Sequence, residues 1–239
     1  MQQHRTPDVH GVIAIDKPRG PTSMSMVNLV RRRAGKVKTG HAGTLDPLAT
    51  GVLVLGLGRM TKRLDELMNT IKRYTTVIDL SATTIGHDAE TPPEGVEIER
   101  IPTRSDVEYA VKEFCGEIMQ SPPIFSAVKV DGRRAYVGAR KGEDFSIEPR
   151  PVIVREIAVT GFEWPLVTID IECEKGFYVR ALARDLGQAM RLGGYCVEIR
   201  RTAVGPFTLD MATKLEDLPE IITQEDLLLP DQVDRLLSM

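Results

Sequence analysis

A chain of 239 residues, 42% hydrophobic and 27% charged, has the length and composition of a soluble globular protein, as one large domain or one domain plus an appendage. No apolar run approaches the ~18 residues that span a bilayer, and the opening M-Q-Q-H-R-T-P-D has no apolar signal region, so a cytoplasmic protein is expected. The net charge of −3 excludes a uniformly basic nucleic-acid binder but hides an uneven distribution: residues 1–80 carry 13 Lys+Arg against 6 Asp+Glu, and residues 210–239 carry 2 against 8.

In chain order, Gly11–Asp16 reads as a short buried strand ending in the turn Lys17-Pro18-Arg19-Gly20. Thr22 or Ser23 caps a helix through about Arg33, stopped by Gly35. Arg31-Arg32-Arg33 suits the negative pole of that helix dipole and equally suits phosphate contact, with Lys36 and Lys38 adjacent. Thr39–Gly58 is the most informative stretch: twenty residues with one carboxylate, Asp46, and no Lys or Arg. Asp46 lies in a Gly-rich loop stiffened by Pro47 and followed by the apolar strand Val52–Leu57. That is ordinary turn chemistry, and it is also a good way to present a catalytic acid.

Thr61–Met68 reads as a helix and Lys72–Leu80 as a strand. Ala82–Thr103, polar and with Pro92-Pro93, reads as an irregular exposed connection, and Ser105-Asp106-Val107-Glu108 as the capping box of a helix to about Cys115. In Gln120–Gly142, I-F-S-A-V-K-V reads as a strand and Asp131-Gly132 as a turn, after which Arg133, Arg134, Arg140 and Lys141 surround Tyr136 as on a nucleic-acid surface. Val152–Trp164 and Leu166–Glu174 form a hairpin turning at Pro165, Gly176–Leu192 is helical, and Glu198–Phe207 returns as strand and loop. The last thirty residues read as short acidic helices punctuated by Pro219 and Pro230, with Leu227–Leu229 buried on the core. Without a regular βαβ rhythm the class is α+β, with a mixed, mostly antiparallel sheet flanked by helices.

Arg180 is the second informative residue. It falls near the start of a helix, at the unfavourable pole for a cation, which is either tolerated by a solvated side chain or offset by a carboxylate from elsewhere. Cys115, Cys173 and Cys196 are far apart and the four His do not pair at ligand spacing, so neither a metal site nor a disulfide framework is expected.

G-H-A-G-T-L-D-P-L-A-T-G resembles the active-site motif of the TruB family of tRNA pseudouridine synthases. Further segments resemble the family in the same order: G-V-I-A-I-D-K-P-R-G, K-R-Y at Lys72–Tyr74, P-P-I-F-S-A-V-K-V-D-G-R-R-A-Y, G-F-Y-V-R and I-R-R-T-A-V-G-P-F. The resemblance implies a pseudouridine-synthase fold over residues 1–209, with an RNA-binding insertion at 120–150 and an acidic tail at 210–239 in place of the C-terminal PUA domain. It implies isomerisation of the T-loop uridine of tRNA with no cofactor and no metal, by a monomer that docks the T-arm stem-loop without guide RNA or membrane.

By that resemblance Asp46 is the nucleophile or base, Arg180 pairs with it, and Tyr74 stacks on the target base. His41, Tyr178, Ile199 and Lys17 are implied as substrate contacts. Phe125 stands where the family usually has Tyr, Phe177 where it has Thr, and Thr84-Ile85-Gly86-His87-Asp88 where it has T-D-T-x-D. Three other readings are a catalytically silent tRNA-folding chaperone, a guide-RNA-dependent synthase and a glycoside hydrolase. Intact Asp46, Tyr74 and Arg180 disfavour the first, the missing PUA domain the second, and the lone carboxylate of the Asp46 loop the third.

Overall fold

A computed structural model describes residues 9–125, 129–130, 133–134 and 147–238. In chain order these form β1 (Gly11–Lys17), α1 (Ser23–Arg33), β2 (Thr39–His41), β3 (Thr50–Leu57), a 3-10 segment Gly58–Arg63, α2 (Leu64–Met68), β4 (Lys72–Asp79), β5 (Ala82–Thr83), β6 (Glu94–Gly95), α3 (Arg104–Lys112) and β7 (Gly116–Gln120). They continue with β8 (Lys129–Val130), β9 (Arg133–Arg134), β10 (Arg150–Glu163), β11 (Leu166–Cys173), α4 (Val179–Met190), β12 (Tyr195–Val204), β13 (Phe207–Thr208), β14 (Thr213–Lys214) and α5 (Pro230–Leu237). The chain divides into two compact units: one up to Arg73 and again from Arg200, the other Tyr74–Ile199.

In the first unit the strands run β14, β1, β3, β12. β1 pairs antiparallel with β3 from Gly11↔Leu57 to Lys17↔Gly51, and β2 pairs antiparallel with β3 from Thr39↔Leu57 to His41↔Leu55. β1 pairs parallel with β14, and β3 parallel with β12. β3 is buried from Gly51 to Leu57, which explains its unbroken apolar run in place of an alternating one. Val12, Ala14, Val52, Val54, Met60, Leu67, Phe207 and Val233 share one core, so α5 near the C-terminus packs with the first strand. Val12 and Leu228 exchange both main-chain hydrogen bonds. Of the expected buried triplet, Leu227 is buried and Leu228 packs against the core, while Leu229 is exposed because it is the N-cap of α5.

α1 begins at the expected cap: Thr22 and Ser25 form a capping box, and Met26, Val27 and Val30 make the buried face. The helix expected over Thr61–Met68 is instead a 3-10 segment followed by the single turn of α2. The tail is less helical than its composition suggests, because among the described residues only Pro230–Leu237 there is α-helical, with Pro230 at its first position.

In the second unit the strand order is β12, β4, β11, β10, β7. β10 and β11 form the expected hairpin, closing from Val154↔Cys173 to Glu163↔Leu166 around Trp164-Pro165. The capping box of α3 lies two residues before the expected one. Thr103 and Asp106 form it, because Thr103 is the residue with extended backbone before the first turn. α4 starts at Val179, three residues later than expected, with Arg180 in its first turn. The connection after β4 is not wholly exposed: Ala82, Thr84 and Asp88 are buried. Most of the expected strand and the basic cluster in Gln120–Gly142 lies outside the described residues; Ile124 and Phe125 are in a bend.

Candidate active site

The first unit carries Asp46, His41 and Lys17. Asp46 is half-buried in the loop between β2 and β3, and the peptides around it are fixed one after another. Gly43 and Thr44 present their carbonyls to Arg201 at 3.1 and 3.3 Å. Leu45 is held from both sides by buried Ser23, whose Oγ donates to the Leu45 carbonyl at 2.9 Å and accepts from its N–H at 2.8 Å. Pro47 accepts at its carbonyl from Gly20 N–H and from Lys17 Nζ, and Ala49 N–H closes a turn onto the Asp46 carbonyl.

Lys17 is fully buried, and its ammonium also donates to the carbonyls of Pro18 and Pro21. Its contacts tie the β1 turn to the Asp46-Pro47 loop. His41 is half-buried at the end of β2, and its Nδ1 has no hydrogen-bond partner among the described residues. Burial first, and the Arg201 charge second, lower its pKa from the ordinary 6.5, so it is a neutral imidazole at physiological pH.

The second unit carries Tyr74, Tyr178, Arg180 and Ile199. Arg180 is 4% exposed and sits in the first turn of α4. Its guanidinium donates to the Gly86 carbonyl at 3.1 Å and the Phe125 carbonyl at 2.9 Å, and it forms an ion pair with buried Asp88 at 3.3 Å. A carboxylate from elsewhere does offset the dipole penalty, and in this unit it is Asp88, in the loop whose departure from the family pattern had left its role open. The departure at Phe125 leaves the contact intact, since it is made by the main chain.

Asp88 is fixed in turn. Its Oδ1 accepts from Glu90 N–H, its carbonyl accepts from Thr84 Oγ1, and it bridges to Cys196 of β12. His87, between Gly86 and Asp88, has a left-handed backbone with φ 55° and a buried Nδ1 with no hydrogen-bond partner among the described residues. Burial, then the charges of Arg184 and Arg180, depress its pKa to about 4, against a small opposing effect of Asp185.

Tyr178 is held by both main-chain groups, its N–H donating to Gln120 Oε1 and its carbonyl accepting from Gln120 Nε2. Tyr74 is half-buried on β4 and Ile199 is buried on β12. Sequence reasoning missed Ser23, Asp88, Gln120 and Arg201. Ser23 reads as a helix cap and Arg201 as one of a basic pair, and only three-dimensional proximity separates either from those ordinary roles.

The family model described as "TruB family pseudouridylate synthase (N terminal domain)" matches residues 31–179, and "tRNA pseudouridylate synthase B C-terminal domain" matches residues 180–238. The chain is 44% identical over 216 residues to a protein of Arthrobacter sp. (strain FB24) named tRNA pseudouridine synthase B, covering 88% of this chain and 71% of that one. It is 42% identical over 222 residues to the protein of the same name from Phocaeicola vulgatus, covering 90% and 94%. Among solved structures, a chain of the Cbf5-Nop10-Gar1 complex matches with a TM-score of 0.68 and 32% identity, over 87% of this chain and about half, 53%, of that one.

Proposed function

The chain belongs to the TruB family of pseudouridylate synthases, and from that premise we propose that it converts the T-loop uridine of tRNA to pseudouridine with Asp46 as its catalytic residue. The observation that carries this reading is the held loop: the peptides beside Asp46 are clamped by Ser23, Lys17 and Arg201. The reaction breaks the bond from C1′ to N1 of uracil, turns the base, and forms a bond from C1′ to C5. The C5 proton is lost and N1 gains one, so nothing enters or leaves overall and no redox change occurs. Asp46 starts the cleavage either by attacking as a nucleophile or by abstracting a proton.

The target base lies in a folded loop and must be flipped out to be reached. Tyr74 offers the flipped uracil a π-face and a hydroxyl. Arg180, held by Asp88 and the Gly86 carbonyl, supplies the cation that the family pairs with its catalytic Asp. His41, Tyr178, Ile199 and Lys17 serve substrate binding, Lys17 while also tying the β1 turn to the Asp46 loop. The enzyme works on the T-arm as a monomer in the cytoplasm, without guide RNA.

Incubation of purified protein with an unmodified tRNA transcript and no guide RNA, followed by pseudouridine mapping, tests the whole reading. A single new pseudouridine in the T-loop is expected. An unmodified transcript, or modification only when a guide RNA is added, overturns it.

A further inference from the structure

Arg201 on β12 is 1% exposed, among the largest fully enclosed side chains of the protein. Its donors go to carbonyls: Nε to Val52 at 2.8 Å, Nη1 to Thr44 at 3.3 Å and Nη2 to Gly43 at 3.1 Å. Among the described residues no carboxylate forms an ion pair with it. Burying a guanidinium is costly even after relaxation, and an apolar side chain of similar volume would fill the space without that cost. The cation is therefore retained for what it holds.

What it holds is the frame of Asp46. Two of its bonds take the carbonyls three and two residues before Asp46, and the third takes the start of the buried strand six residues after it. The guanidinium thus closes the loop across its mouth. Two glycines allow this closure. Gly43 has φ +112°, and a Cβ there would sit 3.5 Å from Arg201 Nη1. Gly51 has φ +101°, and a Cβ there would stand 2.1 Å from the Arg201 carbonyl oxygen.

We propose that Arg201 is a positioning residue for Asp46, acting through the Gly43, Thr44 and Val52 carbonyls. The inference rests on the assignment of Asp46 as the catalytic residue. Only the planar fork of arginine reaches three carbonyls in these directions; the single ammonium of lysine does not. The charge also reaches His41, two residues before Gly43, and helps keep its imidazole neutral.

The experiment compares wild type, Arg201→Lys, Arg201→Met and Asp46→Asn in pseudouridine formation on a tRNA transcript, with kcat and KM taken from multiple-turnover rates. Tm and the NMR titration of His41 are recorded on the same samples. In folded Arg201→Lys, kcat falls about 10²-fold while KM stays within a few-fold, because a displacement of about 1 Å in a reacting group costs that much. In Arg201→Met the His41 midpoint also rises toward the ordinary value, a change that loss of stability alone does not produce.

A folded Arg201→Lys with kcat within two-fold of wild type overturns the proposal. If both Arg201 variants fail to fold, Gly43→Ala disturbs the same peptide with Arg201 in place; a lower kcat at unchanged KM supports the proposal, and wild-type kcat overturns it. Wild-type rate in Arg201→Lys beside an inactive Asp46→Asn sinks this inference alone. Turnover by Asp46→Asn sinks the assignment beneath it.

Discussion

A carboxylate that starts glycosidic cleavage must be held still, and at Asp46 the holding is done by the peptides on either side. Ser23, Lys17 and Arg201 each fix a different carbonyl within four residues of it. Asp46→Asn leaves that scaffold in place and removes only the nucleophile or base, a loss of at least ~10²-fold in kcat. Filter-binding and turnover assays on one preparation should show tRNA affinity within a few-fold of wild type and turnover below about a hundredth.

His87 is the second residue with a measurable consequence. Its pKa is about 4 in the folded protein and 6.5 ordinarily, so between those values the unfolded chain binds more protons than the folded one. Stability is therefore fully present above about pH 6.5 and is lost as pH falls toward 4. His87→Asn tolerates the left-handed backbone and cannot titrate. Its Tm should fall less than that of wild type between pH 7 and 5.5 in matched melts, and parallel curves would remove His87 from the account.

At the scale of elements, the places where the sequence misleads share a physical cause. α1, β3 and the β10–β11 hairpin are legible because cap, apolar run and turn residues agree locally. The cap of α3 is misread because Thr103 and Ser105 are both good cap residues and only backbone geometry chooses between them. Thr103→Ala should cost about 1 kcal/mol in chemical denaturation, whereas Ser105→Ala should be close to neutral.

The clamp on Arg180 was half legible. Its place at a helix start points to a carboxylate as one of two readings, yet Asp88 lies 92 residues away in sequence, in a loop whose polar composition reads as exposed. Gly51 shows the same limit from the other side. In sequence it is one more glycine in a rich loop; in the fold it lies against the Arg201 main chain with a positive φ. Gly51→Ala must push β12 off β3, and a loss of at least ~2 kcal/mol is expected by urea unfolding.

For the whole molecule, net charge says little and its placement says much. The excess of Lys and Arg lies in residues 1–80, but the structure divides those cations by employment. Arg33 donates to the Leu218 and Pro219 carbonyls, Arg63 pairs with Glu66 and Asp234, and Lys72 is buried on the Met68 and Thr70 carbonyls. These three serve the fold. Arg31, Arg32, Lys36 and Lys38 are exposed around the end of α1 and form no ion pair among the described residues. If that cluster meets phosphates, each cation removed from it should lower the slope of log K against log salt by roughly 1.

Replacing Arg31 and Arg32 by Gln should therefore weaken tRNA binding, flatten its salt dependence and leave Tm unchanged. Arg33→Gln should do the reverse, lowering Tm and leaving the salt slope alone, because its guanidinium is engaged by the tail. Binding titrations at several salt concentrations, with a melt on each variant, separate the two. An unchanged slope in the Arg31/Arg32 variant would assign that run to the helix dipole and move the phosphate-binding face elsewhere on the protein.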